Sequence, residues 1–435
     1  MKYSLCLCFL LLFSYATNAQ DTAYARRVIN ELCSPKYKGR GYAGGGDHKA
    51  AAYIQGEFKR LGLSKVKGSY QQEFTFPVNT FPGKVEVIYN GQLLVAGRDY
   101  IINAGCGNFR FSGEVEFTDI NALNDSSYYD RKGYLQQMAV IDTFNKKYHP
   151  EAELTNKKYM SDYRKQLLVK LTNEKLTWTT SYSLDNNCII TLKSGVFDRT
   201  KPARFEIRID SKFYGKYNAK NQVYGTYTSS NVLGMIQGTE QKDSFIVFTA
   251  HYDHLGMMGK TAMFPGANDN ASGIAMLLNL AQYFKAHPQK YSLLFIAFSG
   301  EEAGLLGSSY YVKNPVVPLE KFHFLINIDL MGNGAEGVMA VNGSVFKEEY
   351  QLLTAINQKH QYLPAVKSRG KAPNSDHYYF SEAGVHCFFF YLMGPYPHYH
   401  DINDKASAVP LTNFDKAFLL FRDFIVSLQS FTVGN

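Results

Sequence analysis

The sequence predicts an α/β protein, in which a mixed, mostly parallel central sheet is flanked by helices and carries an inserted, smaller β-rich domain. Three observations predict this architecture. In the second half of the chain, apolar runs typical of buried strands alternate with helical segments. Several of these runs stop at a carboxylate or an imidazole. Between residues 79 and 212 the pattern changes to short β-like runs separated by Gly and Asn turns.

The elements of the second half can be placed in order. Apolar runs predict strands at 245–250, 292–298, 322–328 and 385–392. Helices are predicted at 271–286, 348–360 and 412–430. The main domain should therefore comprise residues 20–78 and 213–435, interrupted by the insertion at 79–212.

The insertion has a composition of its own. Its predicted strands lie at 84–89, 114–117 and 138–141, and the Lys- and Tyr-rich segment 148–175 predicts a helix. None of the candidate ligands described below falls within it. We therefore expect the insertion to shape access to the site without taking part in the chemistry.

Side chains able to bind metal follow the predicted strand ends. In open α/β sheets, ligands bind beyond the carboxyl ends of the strands, so these side chains should lie together. Two histidines and three carboxylates, with no cysteine among them, suit a pair of ions such as zinc, manganese or cobalt. The side chains from which these ligands could be drawn are, in chain order, His251, Asp253, Asp269, Glu301, Glu302, Asp329, His398, His400 and Asp404.

The adjacent Glu301 and Glu302 need different roles. Consecutive side chains leaving a strand point to opposite sides, so one can bind metal while the other faces water and substrate. A metal pair about 3.5 to 4 Å apart can lower the pKa of a shared water towards ~7 and bind both oxygens of a tetrahedral intermediate. This chemistry predicts the hydrolysis of an amide.

Five sequence blocks, in the same order, resemble the co-catalytic di-zinc aminopeptidases of metallopeptidase family 28. They are AHYDHLG at 250–256, GANDNASG at 266–273, GEE at 300–302, NIDLMG at 327–332, and the pair Tyr399-His400 with Asp404. KGRG at 38–41 and SDH at 375–377 also fit, and residues 50–63 resemble the family's first helix. The resemblance covers roughly residues 25–78 and 213–430. It implies the zinc-exopeptidase fold of the phosphorylase/hydrolase-like type, two Zn²⁺ ions per chain and peptide substrates.

The resemblance also implies a ligand role for five residues. Asp269 should bridge the two zinc ions. His251 and Asp329 should complete one site, and Glu302 and His400 the other.

Further roles follow from the same resemblance. Glu301 should be the general base, and Asp253 should hydrogen-bond the imidazole of His251 and fix its tautomer. Tyr399 should polarise the scissile carbonyl, and Asp404 should steady the loop or the ligand. The SDH element implies substrate contacts from Asp376 and His377, with an N-cap and a solvent-facing imidazole as the alternative.

Two departures from the family pattern bear on substrate preference. Asp401 follows His400 where the family usually has Thr, and Lys405 stands where a Thr after Asp404 is common. Three alternatives stay open: a glutaminyl cyclase-like zinc acyltransferase, which uses one zinc, a carboxypeptidase of the same family, and a non-catalytic receptor-like relative, which would have lost ligands or the base. Arg369 and Lys371 lie near the SDH element, but they form no evident basic cluster for a substrate carboxylate.

The insertion lies where relatives carry a protease-associated module, and DRKG at 130–133 resembles one faintly.

Composition is that of an ordinary globular enzyme. The chain has 435 residues, of which 45% are hydrophobic and 19% charged. This length exceeds what one core usually serves, so two domains are expected. The net charge of +8 is spread along the chain, so nucleic-acid binding is not predicted. No oligomeric state is predicted.

The N-terminus has the pattern of a secretory signal peptide. Lys2 precedes an apolar stretch at 5–13, and small residues allow cleavage after Ala19. An exported protein, periplasmic or secreted, is therefore expected. No later apolar run approaches the roughly 18 residues of a membrane helix. Cys33, Cys106, Cys188 and Cys387 remain after cleavage, and their three possible pairings stay open.

Overall fold

The computed structural model describes residues 22–115, 138–141, 167–172, 175–181, 184–185, 188–196, 203–214 and 226–430. Its α-helices are α1 (Thr22–Leu32), α2 (Gly46–Arg60), α3 (Ser272–Ala286), α4 (Leu306–Lys313), α5 (Lys347–His360), α6 (His377–Glu382) and α7 (Phe414–Leu428). Short 3₁₀ segments lie at Pro35–Arg40, Ser194–Val196 and Leu319–Lys321, and a π-helical turn at Ala267–Ala271.

The strands of the first half of the chain are β1 (Gln71–Phe76), β2 (Val78–Thr80), β3 (Val85–Tyr89), β4 (Gln92–Leu93), β5 (Tyr100–Ile102), β6 (Phe109–Val115), β7 (Met138–Ile141), β8 (Leu167–Thr172), β9 (Cys188–Lys193), β10 (Ala203–Ile209) and β11 (Lys212–Tyr214). Those of the second half are β12 (Tyr227–Ile236), β13 (Gln241–His251), β14 (Gly256–Met258), β15 (Ala262–Phe264), β16 (Tyr291–Phe298), β17 (Phe322–Ile328), β18 (Gly337–Val341), β19 (Val366–Arg369) and β20 (Cys387–Met393).

An eight-stranded mixed sheet forms the centre of the molecule. Its strand order is β1-β12-β16-β13-β17-β20-β18-β19. The four strands β16, β13, β17 and β20 are parallel neighbours, and β18 with β19 is a further parallel pair. Antiparallel pairing joins β1 to β12, β12 to β16 and β18 to β20. The predicted mixed, mostly parallel sheet is confirmed.

Helices cover both faces of this sheet. Alternate residues of β16 show why: Leu293 and Phe295 lie in one core cluster, whereas Leu294 and Ile296 lie in another. The first cluster contains side chains of α1, α2, α3, α5 and α7, and the second contains Tyr311 of α4 and Phe380 of α6. Strands buried on both faces read as nearly continuous apolar runs, which is why sequence analysis could locate them.

The inserted region forms two further four-stranded sheets, ordered β4-β3-β10-β6 and β5-β9-β8-β7. A disulfide joins Cys106 to Cys188, while Cys33 and Cys387 are buried free thiols. The core of the inserted region also takes in Leu255, Met258, Ala262 and Phe264 from the β14–β15 hairpin of the main domain. The insertion therefore packs directly on a hairpin that lies between two predicted ligands, His251 and Asp269.

Three details differ from the sequence prediction. The helix predicted at 148–175 is wrong at Leu167–Thr172, which forms β8 between β7 and β9; residues 148–166 lie outside the described residues. The run LLVKLT is short and rich in apolar residues, and it pairs along its whole length with β9, so cross-strand pairing decides its conformation. The strand predicted at 114–117 begins earlier, at Phe109, and helix α1 precedes the first predicted helix.

Among the helices that the structure describes, none combines the length and the apolar character needed to cross a lipid bilayer.

Candidate metal centre

The predicted ligands meet at the carboxyl edge of the four parallel strands. His251 is the last residue of β13, Asp329 directly follows β17, and Glu302 lies just beyond the end of β16. His400 lies in the loop after β20, and Asp269 lies in the π-helical turn that leads into α3. Because these strand ends are neighbours in the sheet, residues far apart in the chain come together.

Asp269 divides the cluster into two halves. Its Oδ1 lies 3.3 Å from His251 Nε2, and its Oδ2 lies 3.1 Å from His400 Nε2. In the first half, His251 Nε2 is also 3.4 Å from Asp329 Oδ2. In the second, His400 Nε2 is also 3.3 Å from Glu302 Oε2. We call these the His251 half and the His400 half; the shared carboxylate presents one oxygen to each.

Glu301 lies on the His251 side of the cluster. It forms a compact group with His251 and Asp329, in which one possible ligand atom from each residue lies within 4.8 Å of the others. Burial, and then the charges of Glu302 and Asp376, raise the pKa of Glu301 well above its usual value, despite the opposing effect of His251. A carboxyl group with a raised pKa is suited to holding a proton during a reaction.

The electrostatics of the cluster favour positive charge. Burial alone would lower the pKa of His400, but Glu302 and Asp269 raise it to about 11. Burial likewise opposes the ionisation of Glu302, yet the nearby His400 lowers the pKa of Glu302 to about 2. The buried carboxylates therefore need a cation beside them, as bound metal ions would provide.

Unpartnered atoms point to the same chemistry. Asp329 Oδ1 and His254 Nε2 are buried and have no hydrogen-bond partner among the described residues. Buried polar atoms are normally satisfied, so such atoms in a cluster of carboxylates and imidazoles fit ligands of a metal. The residues present thus fit a zinc pair.

Arg40 supports the turn that carries Asp269. Its side chain is fully buried, and its guanidinium donates to the backbone carbonyls of Pro265, Gly266 and Asp269 at 2.6, 2.7 and 3.1 Å. The segment of Arg40 can approach this closely because a Cβ on Gly41 would lie 2.4 Å from the Cα of Gly256. The KGRG motif is therefore a structural support for the bridging ligand.

Asp404 holds the same turn from the other side. Its carboxylate accepts the backbone N–H groups of Asn268 and Asp269 at 2.8 and 3.1 Å. The hydroxyl of Tyr396 donates to it at 2.6 Å. These contacts place Asp404 where the sequence analysis expected a residue that steadies the ligand.

The carboxylate of Asp253 lies closer to both glutamates than to His251. Its carboxylate accepts the backbone N–H groups of Glu301 and Glu302, both at 3.3 Å, and the hydroxyl of Tyr42 at 2.6 Å. His251 Nδ1 is 3.2 Å from the backbone carbonyl of Asp253 and 3.7 Å from its carboxylate. The backbone oxygen of Asp253 thus fixes the imidazole, and its side chain orients the Gly-Glu-Glu turn.

Sequence analysis missed His254. This residue is fully buried, and its Nδ1 lies 2.6 Å from Glu302 Oε1. It forms a second compact group with Asp269 and Glu302. The available signal was the second histidine of AHYDHLG, which immediately follows Asp253.

The SDH element lies beneath the His251 half. Ser375 Oγ donates to Asp329 Oδ2 at 3.1 Å and accepts from the side chain of Asn327 at 2.8 Å. Asp376 and His377 are both buried, and the ring of His377 packs 5.2 Å from that of Phe389. The imidazole therefore does not face solvent, and direct substrate contact by these two residues stays a prediction.

Tyr399 and His398 directly precede His400, but neither side chain lies between Asp269 and Glu302 as that of His400 does. Tyr399 is 53% exposed, and its ring stacks on the imidazole of His400 with centroids 3.9 Å apart. His398 Nδ1 faces Asp401 Oδ2 at 3.4 Å. Of the two histidines, His400 is the one that the structure places against Asp269 and Glu302.

The fold and the cluster of possible ligands together define a candidate metal centre at the edge of an α/β sheet. Residues 231–425 match the model of peptidase family M28.

The aminopeptidase YwaD of Bacillus subtilis is 30% identical over 207 residues, which cover 46% of this chain and 44% of that protein. A probable zinc metalloprotease of Pyrenophora tritici-repentis is 35% identical over 108 residues, covering 24% of this chain and 22% of that protein. The chain thus spans less than half the length of these curated relatives.

Solved structures share the overall fold. A zinc aminopeptidase from Bacillus subtilis aligns with a TM-score of 0.64 and 19% identity, covering 94% of this chain and 95% of that chain. A peptidase M28 precursor from Shewanella amazonensis aligns with a TM-score of 0.65 and 15% identity, covering 94% of each chain.

Proposed function

We propose that this protein is a zinc-dependent aminopeptidase that removes N-terminal residues from peptides. The observation that carries the proposal is the position of Asp269, whose two oxygens face the His251 half and the His400 half separately. A carboxylate in this position is suited to bridging two ions. The likeness to aminopeptidase YwaD supports the choice of substrate class.

Five residues would hold the zinc pair. His251 and Asp329 would bind one ion, Glu302 and His400 the other, and Asp269 both. When bound, the pair would supply Lewis acidity and an activated water at neutral pH.

Glu301 would then move the proton. Its carboxylate would take a proton from the attacking water and deliver it to the leaving amine. For this role Glu301 must lie beside the metal ligands without itself binding a metal ion. Tyr399, exposed and stacked on His400, would polarise the substrate carbonyl from the open side of the site. Substrate contact by Asp376 and His377 belongs to the same proposal. Because both residues are buried, the substrate would have to reach them from within the site.

The test is Glu301→Gln, assayed for zinc content and for hydrolysis of an aminoacyl anilide. The variant should retain about two zinc ions and lose a factor of about 10² to 10⁴ in turnover, because the proton acceptor is removed while the ligands remain. Glu320→Gln is a matched control, since Glu320 is exposed beside the amino end of β17. Full activity in Glu301→Gln, or loss of its zinc, would contradict the assigned role.

The substrate class is tested with the same aminoacyl anilide and its N-acetylated form. An aminopeptidase should cleave only the compound with a free amino group. Cleavage of C-terminal residues would favour a carboxypeptidase. Cyclisation of N-terminal glutamine with a single bound zinc would favour a glutaminyl cyclase-like acyltransferase.

Export and the domain division belong to this proposal as well. A signal peptide cleaved after Ala19 would take the chain to an oxidising compartment, and a disulfide between Cys106 and Cys188 suits such a compartment. N-terminal sequencing of the mature protein tests the cleavage site. The boundaries at 79 and 212 would separate a peptidase domain from an inserted, possible protease-associated-like domain.

A further inference from the structure

A short segment of the inserted region contacts the loop that carries His400. We call residues 175–180 the bridging segment and residues 397–401 the His400 loop. Lys175 Nζ donates to the backbone carbonyls of Pro397 and Tyr399, and forms an ion pair with Asp401 Oδ2 at 2.8 Å. One lysine thus holds three points of the loop, on both sides of His400.

Trp178 fixes the backbone of His400 itself. Its N–H donates to the carbonyl of His400 at 3.0 Å. The indole is 5% exposed, stacks on Phe264 with centroids 4.9 Å apart, and donates through Nε1 to the carbonyl of Ile102 at 2.9 Å. The partner of His400 is therefore anchored in the core shared by the insertion and the β14–β15 hairpin.

The backbone of His400 needs such support. Its φ is +55°, in the left-handed region that residues with a Cβ rarely adopt. A ligand in this conformation stays there only where surrounding contacts determine it. The hydrogen bond from Trp178 and the two carbonyl contacts of Lys175 supply those contacts.

The bridging segment also reaches the second ligand of the same half. The hydroxyl of Thr180 donates to the backbone carbonyl of Glu302. His400 and Glu302 therefore each have a backbone partner from the insertion. By contrast, the hydrogen bonds and ion pairs that His251 and Asp329 make with described residues all lie within the main domain.

We propose that the bridging segment is a positioning element for the His400 half of the metal centre, with Lys175 as the residue that fixes the His400 loop. The proposal rests on the proposed zinc pair. It also explains a departure from the family pattern: Asp401, which stands where a threonine is usual, is the carboxylate that pairs with Lys175. The insertion thus has a role in metal binding that the absence of ligands from it did not suggest.

The first test is Lys175→Met in the full chain, with Zn²⁺ as the probe and a chromophoric chelator as the competitor. Loss of a group that orients a metal ligand typically lowers metal affinity by about 10- to 100-fold. The affinity for one of the two zinc ions should fall by that factor, while the affinity for the other should equal that of the parent. Lys175→Arg, which retains a cation and donors, should recover part of the loss.

Lys84→Met is the matched control, because Lys84 forms an ion pair of similar length with Glu86, 3.0 Å, elsewhere in the insertion. It should bind both zinc ions as the parent does. Thermal unfolding in the presence of chelator should show similar midpoints for Lys175→Met and Lys84→Met, so that a change in zinc affinity is not a general loss of folding. If Lys175→Met does not fold, Thr180→Val tests the same half, because Thr180 contacts Glu302. This variant should have a lower affinity for one zinc ion.

The outcomes separate this proposal from the one it rests on. A parent protein that binds fewer than two zinc ions would overturn the zinc pair, and the positioning role with it. A parent that binds two, together with a Lys175→Met variant of unchanged affinity, would overturn only the positioning role. Equal weakening of both ions would also overturn it, because the contacts of the bridging segment lie on one half.

Discussion

The two halves of the candidate metal centre are supported in different ways. Behind the His251 half, a chain of buried side chains runs through the main sheet, in which Thr249 donates to Asn327, Asn327 to Ser375 and Ser375 to Asp329. In the His400 half, His400 lies in a long loop and takes contacts from Lys175 and Trp178 of the insertion, whereas Glu302, in the turn after β16, takes one from Thr180. Strand ends fix His251 and Asp329, whereas His400 depends on a region more than 200 residues earlier in the chain.

This difference indicates where the chain can vary. A ligand at the end of a central strand is held by the sheet's own hydrogen bonds and core packing, so its position changes little unless the fold changes. A ligand in a loop needs local partners, and those partners can come from an inserted region. Substitutions that affect one half without the other test this comparison directly.

The largest effect is expected from His400→Ala. Because His400 Nε2 faces both Asp269 and Glu302, its loss should remove one zinc ion and nearly all activity. His398→Ala is the natural control, since His398 contacts Asp401 at the edge of the loop. That variant should keep both metals and change mainly substrate affinity. The reverse result in a zinc titration would show that the ligand is His398.

A second expectation concerns His254, which belongs to the His400 half but comes from the loop after β13. An ionised Glu302 only accepts hydrogen bonds, so His254 Nδ1 must donate to Oε1 across their 2.6 Å contact. His254→Ala should weaken the zinc ion of that half by about 10- to 100-fold. His254→Asn keeps a donor near the position of Nδ1 and should lose less.

The asparagine variant separates two roles for His254. If the residue orients Glu302, the affinity for zinc should rank in the order parent, His254→Asn, His254→Ala. If its Nε2, which has no hydrogen-bond partner among the described residues, binds the metal instead, both variants should lose the ion equally.

Most of the main domain could be predicted from sequence because its strands are buried on both faces. Runs such as 292–298 and 322–328 are continuous in apolar residues, and each ends at a polar side chain that marks the edge of the sheet. The ordered motifs after those runs then identified the ligands that the structure brings together. Strand pairing and helix packing act here in the same direction as local pattern.

The contacts of the bridging segment could not be predicted, for a physical reason. Lys175 and Trp178 bind the His400 loop largely through backbone carbonyls, which carry no residue-specific signal. Likewise, Leu167–Thr172 becomes a strand because β7 and β9 flank it, and both partners are distant in sequence. Asp401 was visible as a departure from the family pattern, but its partner emerges only from the fold.

A smaller effect on the metal centre is expected from the disulfide of the insertion. Cys106–Cys188 closes a loop of 82 residues, and such cross-links typically contribute about 2–4 kcal/mol to the free energy of unfolding. The paired change Cys106→Ser and Cys188→Ser should loosen the insertion, and with it the anchor of Trp178. The affinity for the zinc ion of the His400 half should fall by less than tenfold, or under about 1.4 kcal/mol. The affinity for the other ion should not change.

Chemical denaturation and chelator competition on the same double variant measure both quantities. The parent treated with a mild reductant provides a control without substitution. Equal loss of both zinc ions would indicate that the insertion supports the whole centre and would contradict the division into two halves.

The smallest effect is expected from the two basic residues near the SDH element. Arg369 and Lys371 lie close in sequence to Ser375 and would be the candidates for binding a substrate carboxylate. Lys371, however, pairs with Glu382 at 3.0 Å, with both side chains about half exposed, and Arg369 lies in the exposed part of β19. Exposed ion pairs contribute little, typically below about 1 kcal/mol. Replacing both residues by alanine should therefore change kcat/KM for an aminoacyl anilide by less than about fivefold, the factor that corresponds to such an energy. A loss confined to peptides with a free C-terminal carboxylate would instead identify a carboxylate-binding site beside the His251 half.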